Sequence, residues 1–478
     1  MKIQSIKIRH SYHFSDLKIE FKYAKKPITL ILGDQSTGKT AIIKNIYQAL
    51  TWFPARFKDL RTAGVVMLDS DIMQNRIQSR IEINTTIPPE IGSLSESTNA
   101  QEKETNTCTW TLHKTISANG LGLSKVDTTQ LEQVVNIYNK AIAQDPLQGL
   151  PIIAYYPTDR FVNEMNLLSK NNPSVFQSHS AYEIAPLPYT TFARFFEWFR
   201  EINDIENAQT AHLFQQILDI EHKDIQINQL EDQPQSTNIQ NYELNQSLDA
   251  ETTSLTKKLF QAHAQMHAPS IAALKTALET IFPELTDIYL EYLPKLQLMV
   301  TYQDQTLPYA QLSNSMRNWI ALVGDVVRRM CLLNPNQLYP CMEGEGILMI
   351  DNIDAQLDQN MTQNILNRLH HAFPNLQIIA TGTSEDLLEH AQDYQYLKLE
   401  HTVLHEIDLS IHETNLEKIY QDLLQHVEPT ENERSLDAEI HMMNAQNVFE
   451  NFQLLSSDQQ TAFLQMIQGD DQVSAEKI

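Results

Sequence analysis

"ITLILGDQSTGKTAII", residues 28 to 43, runs from an apolar segment through a glycine-containing turn into a segment with helical spacing. Gly33, then Asp34, Gln35, Ser36 and Thr37, then Gly38, Lys39 and Thr40 satisfy the G-x-x-x-x-G-K-[ST] spacing between a strand and a helix start. The glycines let the backbone curl so that successive N–H groups point inward, and the following helix adds positive potential at its N-terminus. Lys39 is placed to reach the β and γ phosphates of a nucleotide and Thr40 to ligate magnesium, so ATP and Mg2+ are the expected cofactors. The alternative is a tight strand-to-helix turn with no ligand. Glycine is scarce, 12 in 478 residues, and two of them fall in register, which favours the phosphate reading.

A second apolar run, "GILMID", ends in Asp351, whose carboxylate could hold magnesium opposite Thr40. Around the two runs the pattern changes along the chain. Short alternating or apolar stretches such as "MKIQSIKI", "DLKIEFKY", "RIQSRIEI" and "TCTWTLHK" make the first part strand-rich, with a hairpin loop near residues 86 to 106. From Gly149 to Gly324 there is no glycine, and amphipathic stretches such as "YTTFARFFEWFREINDIEN" and "SIAALKTALETIF" predict helices, interrupted by a polar loop near 229–255. Strand–helix alternation returns in "GILMIDNID", "MTQNILNRLHHAF" and "LQIIATGTS", as expected for a parallel sheet covered by helices. The expected divisions are an ATPase lobe at 1–160, a mainly helical insertion at 161–310, the second half of the head at 311–410 and a helical tail at 411–478. The fold class is therefore α/β, a mixed sheet with covering helices.

Composition bounds the partners. Lys and Arg total 35 against 60 Asp and Glu, a formal charge of −25, so nucleic acid could be held only by a local basic patch. No apolar run reaches the roughly 18 to 20 residues that span a bilayer. The amino terminus lacks the apolar core of a signal peptide, and three cysteines without CxxC spacing suggest neither a disulfide framework nor a zinc knuckle. A reduced, cytoplasmic protein with no membrane contact is the expectation.

Taken in order, "GDQSTGKT", "LPIIAYYPTDR", "FFEWFREINDIEN", "LSNSMRNWIALVGDVVRRMCLLNP", "ILMIDNIDAQLD" and "IIATGTS" resemble the ABC-type ATPase heads. The likeness is to the RecF-like and OLD-like branch of the AAA family that includes the ATPases of Septu and retron-type antiviral systems. Gly33, Gly38, Lys39, Thr40 and Asp351 match that family's phosphate loop and magnesium aspartate. Ser313 matches its signature turn, and Asp358 the loop that crosses between subunits. The resemblance thus implies a homo-oligomer, a dimer or higher, with composite nucleotide sites, and a separate effector protein such as a nuclease.

Three sites, four residues in all, depart from the pattern. Asn314 and Ser315 stand where the signature turn usually carries Gly or Asp and then Gly. Asn352 replaces the catalytic glutamate, and a neutral amide cannot take a proton from water at neutral pH. Thr383 replaces the switch histidine that contacts the γ-phosphate. All three concern groups that sense or attack the γ-phosphate, so binding with slow or lost hydrolysis is expected. The alternatives are an ordinary ATPase drawing its base from Asp354 or the partner's Asp358, and an active RecF-type ATPase in DNA repair or DNA-end processing.

Other features carry less. His370 and His371 are adjacent and face different sides of a helix, so they do not form a chelating pair. The aromatic residues of "FARFFEWFRE" recur at helical spacing, which reads as core packing. Arg328 and Arg329 read as a solvated helix edge.

Overall fold

The alternating runs at the amino terminus build an antiparallel sheet in the computed structural model, which describes residues 1–23, 25–98, 101–116, 122–145, 147–162, 178–182, 190–207, 269–391 and 393–407. Strands β1 (Lys2–Ser11), β2 (Phe14–Glu20), β4 (Gln78–Thr86), β7 (Thr107–Ile116) and β8 (Gly122–Asp127) pair in the order β2-β1-β4-β7-β8. Period-two patterning puts Ile6, Ile8, Ile81, Ile83, Trp110 and Leu112 on one buried face. A hairpin of β5 (Leu94–Thr98) and β6 (Gln101–Thr105) lies within the expected loop near 86 to 106.

The second sheet has the order β18-β17-β3-β16-β15-β9, made of β3 (Ile28–Leu32), β9 (Ile152–Tyr156), β15 (Gly346–Ile350), β16 (Leu376–Gly382), β17 (Gln395–Glu400) and β18 (Val403–Ile407). The first five run parallel and β18 closes the edge antiparallel to β17. Every residue of β3, β15 and β16 is buried, as the continuous apolar runs require when helices cover both faces. This is the expected mixed α/β arrangement. The two sheets are joined at β1 and β16: the Gln377 amide accepts from Ile3 N at 2.7 Å and donates to Ile3 O at 3.0 Å, standing in for a ladder pair. Trp110 Nε1 donates to Ala49 O at 2.8 Å, fixing the helix Lys39–Leu50 against the antiparallel sheet.

Within 161–310 the described residues hold helix at 193–207 and at Pro269–Ile281. They also hold a meander, β12 (Leu285–Glu291), β13 (Gln297–Tyr302) and β14 (Gln305–Pro308), which the sequence reading did not place. A two-residue parallel pair, β10 (Arg160–Phe161) with β11 (Thr190–Thr191), completes the strands. The polar loop near 229–255 and the tail at 411–478 lie outside the described residues.

Phe192, Phe195, Phe196, Trp198 and Phe199 are buried, so the aromatic run is core. It packs on the long helix Asn314–Leu333, where a Cβ on Gly324 would come within 2.3 Å of Phe195. That contact explains a mid-helix glycine, which otherwise costs about 1 kcal/mol relative to Ala. The expectation for Arg328 and Arg329 is corrected here: Arg328 is buried and Arg329 nearly so. Asp325, three and four residues earlier on the same helix, pairs with both at 2.9 and 2.8 Å and accepts from Tyr156 Oη at 2.9 Å, while Arg329 Nη1 donates to Ala181 O at 2.6 Å. Burial alone would raise the Asp325 carboxyl, but the two guanidiniums outweigh it and hold it well below the usual carboxylate range.

Candidate functional site

The turn after β3 needs unusual backbone angles. Ser36 has φ 66 and Gly38 φ 106, and a Cβ at residue 38 would also meet the Phe14 ring at 2.9 Å, so only glycine fits there. The helix Lys39–Leu50 begins immediately after, with no acidic residue in its first turn to oppose an anion. Lys39 Nζ donates to the carbonyls of Gly33 and Asp34 at 2.5 and 2.6 Å. Burial lowers the Lys39 ammonium from its ordinary value, against the opposing pull of Asp351, Asp354 and Asp34. Ser36, Thr37, Gly38, Lys39 and Thr40 line a cleft of about 310 Å3, together with Tyr12, His13 and Lys44.

Asp351, directly after β15, meets the cleft through Thr40. Its Oδ2 accepts from Thr40 Oγ1 at 2.8 Å and Thr158 Oγ1 at 2.9 Å, and its Oδ1 from Thr381 Oγ1 at 2.6 Å. Three hydroxyls, from the helix Lys39–Leu50, the turn after β9 and strand β16, thus converge on one carboxylate that is 1% exposed. The buried Arg160 guanidinium holds the backbone around it, donating to the carbonyls of Pro157, Asp351 and Asn352 at 3.0, 2.6 and 3.0 Å. Burial pushes the Arg160 guanidinium down to about 10, opposed by Asp351, Asp354 and Tyr155.

Asn352 follows in a left-handed conformation, φ 51, with its N–H donating to Thr381 Oγ1 at 2.8 Å. Asparagine is among the few non-glycine residues that adopt this region readily. Thr383, at the end of β16, is bonded to Asp354 through both N–H and hydroxyl, at 2.8 and 2.9 Å. Ser313 and Asp358 do not line the cleft. Each is exposed and caps a helix, Ser313 Oγ accepting from Met316 N at 3.2 Å and Asp358 Oδ1 from Met361 N at 2.7 Å. The turns that carry them are joined, because Ser315 Oγ donates to Gln356 O and Asn318 Nδ2 to Gln356 Oε1 at 3.2 Å.

The fold therefore brings the loop residues together with Asp351, and sets Ser313 and Asp358 on the surface. Sequence reading missed Thr158, Arg160 and Thr381 as neighbours of Asp351. The first two were legible as polar residues directly after an apolar strand, in "AYYPTDR". It also missed Tyr12 and His13, which nothing in their local pattern marks. Among the described residues no cluster of three or more His, Cys, Asp or Glu could hold a metal, so magnesium would depend on a mixed set. The donors fit that cation: Thr40 Oγ1 and Asp351 Oδ2 are hard oxygens already in contact, and a hydroxyl can turn its lone pairs outward.

A phosphate-type loop on one buried parallel strand, facing an aspartate at the end of another, defines an ABC-type P-loop ATPase head. Residues 5–266, more than half of the chain, match the model of the family described as AAA domain, and the chain belongs to that family. It is 24% identical to the "Retron Ec83 probable ATPase" of Escherichia coli over 408 residues, covering 84% of this chain and 71% of that protein. The "Retron Vc95 probable ATPase" of Vibrio cholerae serotype O1 biovar El Tor is 23% identical over 431 residues, covering 84% and 76%. Among solved structures, the Smc head domain of Pyrococcus furiosus bound to the C-terminal domain of ScpA is similar over 87% of this chain and 99% of that one, at 13% identity and a TM-score of 0.43. The SMC head domain of Thermotoga maritima matches 86% of this chain and 99% of its own, at 10% identity and a TM-score of 0.37. Among the described residues no helix is long and apolar enough to cross a membrane.

Proposed function

We propose that this protein binds Mg-ATP and hydrolyses it slowly or not at all, serving as a nucleotide-stabilised scaffold or regulator of a separate effector, a nuclease, in antiviral defence. One observation carries the reading: Thr40, at the end of the phosphate-type loop, donates to Asp351 at 2.8 Å, while the next residue, Asn352, offers a neutral amide. Gly33 to Thr40 would wrap the phosphates, with Lys39 exchanging its two carbonyl partners for phosphate oxygens in a stronger charge-assisted contact. Thr40 and Asp351 would hold the magnesium, which supplies charge neutralisation of the phosphate oxygens when bound. Tyr12 and His13, on the same cleft, would face the base and ribose side.

The names of the retron relatives support an ATPase in a defence setting, and the exposed Ser313 and Asp358 suit a site completed by a second copy. In this reading residues 1–160 and 311–410 form the head, 161–310 the insertion and 411–478 the tail, in a cytoplasmic oligomer. Calorimetry with ATP and Mg2+ tests the binding. Lys39→Ala should weaken it tenfold or more, as loss of a charge-assisted bond worth roughly 1.5 to 3 kcal/mol predicts. Equal affinity in the two proteins would overturn the site.

A further inference from the structure

Asp354 sits two residues past Asn352, on the turn between β15 and the helix Gln359–Ala372, and has no part in the scheme above. Its Oδ2 accepts three hydrogen bonds, from Thr383 N at 2.8 Å, Thr383 Oγ1 at 2.9 Å and Ser384 N at 2.7 Å. They are three of the donors on the turn after β16, which the family resemblance sets toward a terminal phosphate; a fourth, the Ser384 hydroxyl, donates to Asp386 Oδ2 at 2.9 Å. The other oxygen, Oδ1, is buried and has no hydrogen-bond partner among the described residues. Asp354 also belongs electrostatically to the nucleotide site, since its charge acts on both Lys39 and Arg160.

The consequence is one of proton direction. A threonine hydroxyl has a single proton, and here Asp354 holds it, so Thr383 can present only lone pairs to anything else. A phosphate oxygen is itself an acceptor and gains nothing from lone pairs. The two backbone N–H groups are committed to the same carboxylate oxygen. A histidine at position 383 could keep a ring N–H for phosphate while its backbone N–H stayed bonded to Asp354; threonine has no second side-chain donor.

We propose that Asp354 is a positioning residue, a latch that keeps the Thr383–Ser384 turn from recognising the γ-phosphate, so that the turn does not distinguish ATP from ADP. The latch rests on the nucleotide-binding reading of the cleft. Opening the latch then hands up to three donors to the γ-phosphate, and binding becomes selective for the triphosphate.

The test is the ratio of ATP to ADP affinity, measured by calorimetry with Mg2+ on the full chain. Wild-type binding that is lost in Lys39→Ala establishes the cleft independently of the latch. Asp354→Ala should then raise the ATP-over-ADP preference about tenfold, the effect of roughly one phosphate hydrogen bond. Asp354→Asn keeps the shape with a weaker acceptor and should give a smaller rise. Thr383→Val in the Asp354→Ala background should remove part of the gain. A merely structural role would weaken both nucleotides alike. An unchanged or lowered ratio in Asp354→Ala and Asp354→Asn, both shown folded by thermal unfolding, overturns the latch.

Discussion

Thr40 and Asp351, separated by 311 positions in the chain, are hydrogen-bonded at 2.8 Å, and that contact joins the phosphate-type loop to the far strand of the same sheet. β16 lies between the two strands, so the bond spans two ladders and depends on the parallel register of all three. Thr381 on the intervening strand then supplies the third hydroxyl on the same carboxylate.

Asp351→Asn is expected to keep nucleotide binding while removing its magnesium dependence. An amide can still accept from Thr40 but contributes no charge to a hard divalent cation. Titrating ATP with Mg2+ and with a chelator should give a large difference for wild type and nearly equal affinities for the variant. A variant that retained the wild-type difference would place the metal elsewhere.

Multiple-turnover assays should show little phosphate release, because a missing general base typically removes about 100-fold to 10,000-fold in rate. Asn352→Glu should restore only part of this. The residue occupies φ 51, where a glutamate is disfavoured by about 1 to 2 kcal/mol, and Thr383 and Ser315 remain as they are. Wild-type turnover near or above about 1 per second would refute the slow-hydrolysis reading.

Asp325→Ala should cost about 3 to 5 kcal/mol of stability, since it strands two guanidiniums in the core, one of them 1% exposed. Urea denaturation measures this directly. A loss below about 1 kcal/mol would mean that the arginines reach water when their partner is removed.

ATP should fasten subunits together if the exposed Ser313 turn of one copy completes the cleft of another. Sedimentation with and without Mg-ATP should show a heavier species with nucleotide, by mass action on the form that binds both. Ser313→Arg should abolish the shift. An oligomer that survives this substitution with ATP affinity intact would exclude the composite site.

Local signals were enough for much of this molecule. The spacing from Gly33 to Thr40, the apolar run into Asp351 and the alternating strands of the first sheet are written in consecutive residues. Loop curvature, parallel burial and period-two faces follow from such stretches whatever surrounds them. The meander at 285–308 escaped because its strands are short and sit among helical segments, where periodicity alone does not separate the two forms.

What the tertiary structure decided is which polar groups meet. Asp325, Arg328 and Arg329 have the i, i+3 and i, i+4 spacing of a helix-surface ion pair. Whether that face meets water or protein depends on Tyr156 from β9 and the Ala181 carbonyl, more than a hundred residues away. In the same way Thr383 looks like a free hydroxyl until β15 and β16 are side by side and Asp354 accepts its hydrogen bond. A side chain's type limits the bonds it can make; its partner is chosen by long-range packing, and with it the direction in which the proton points.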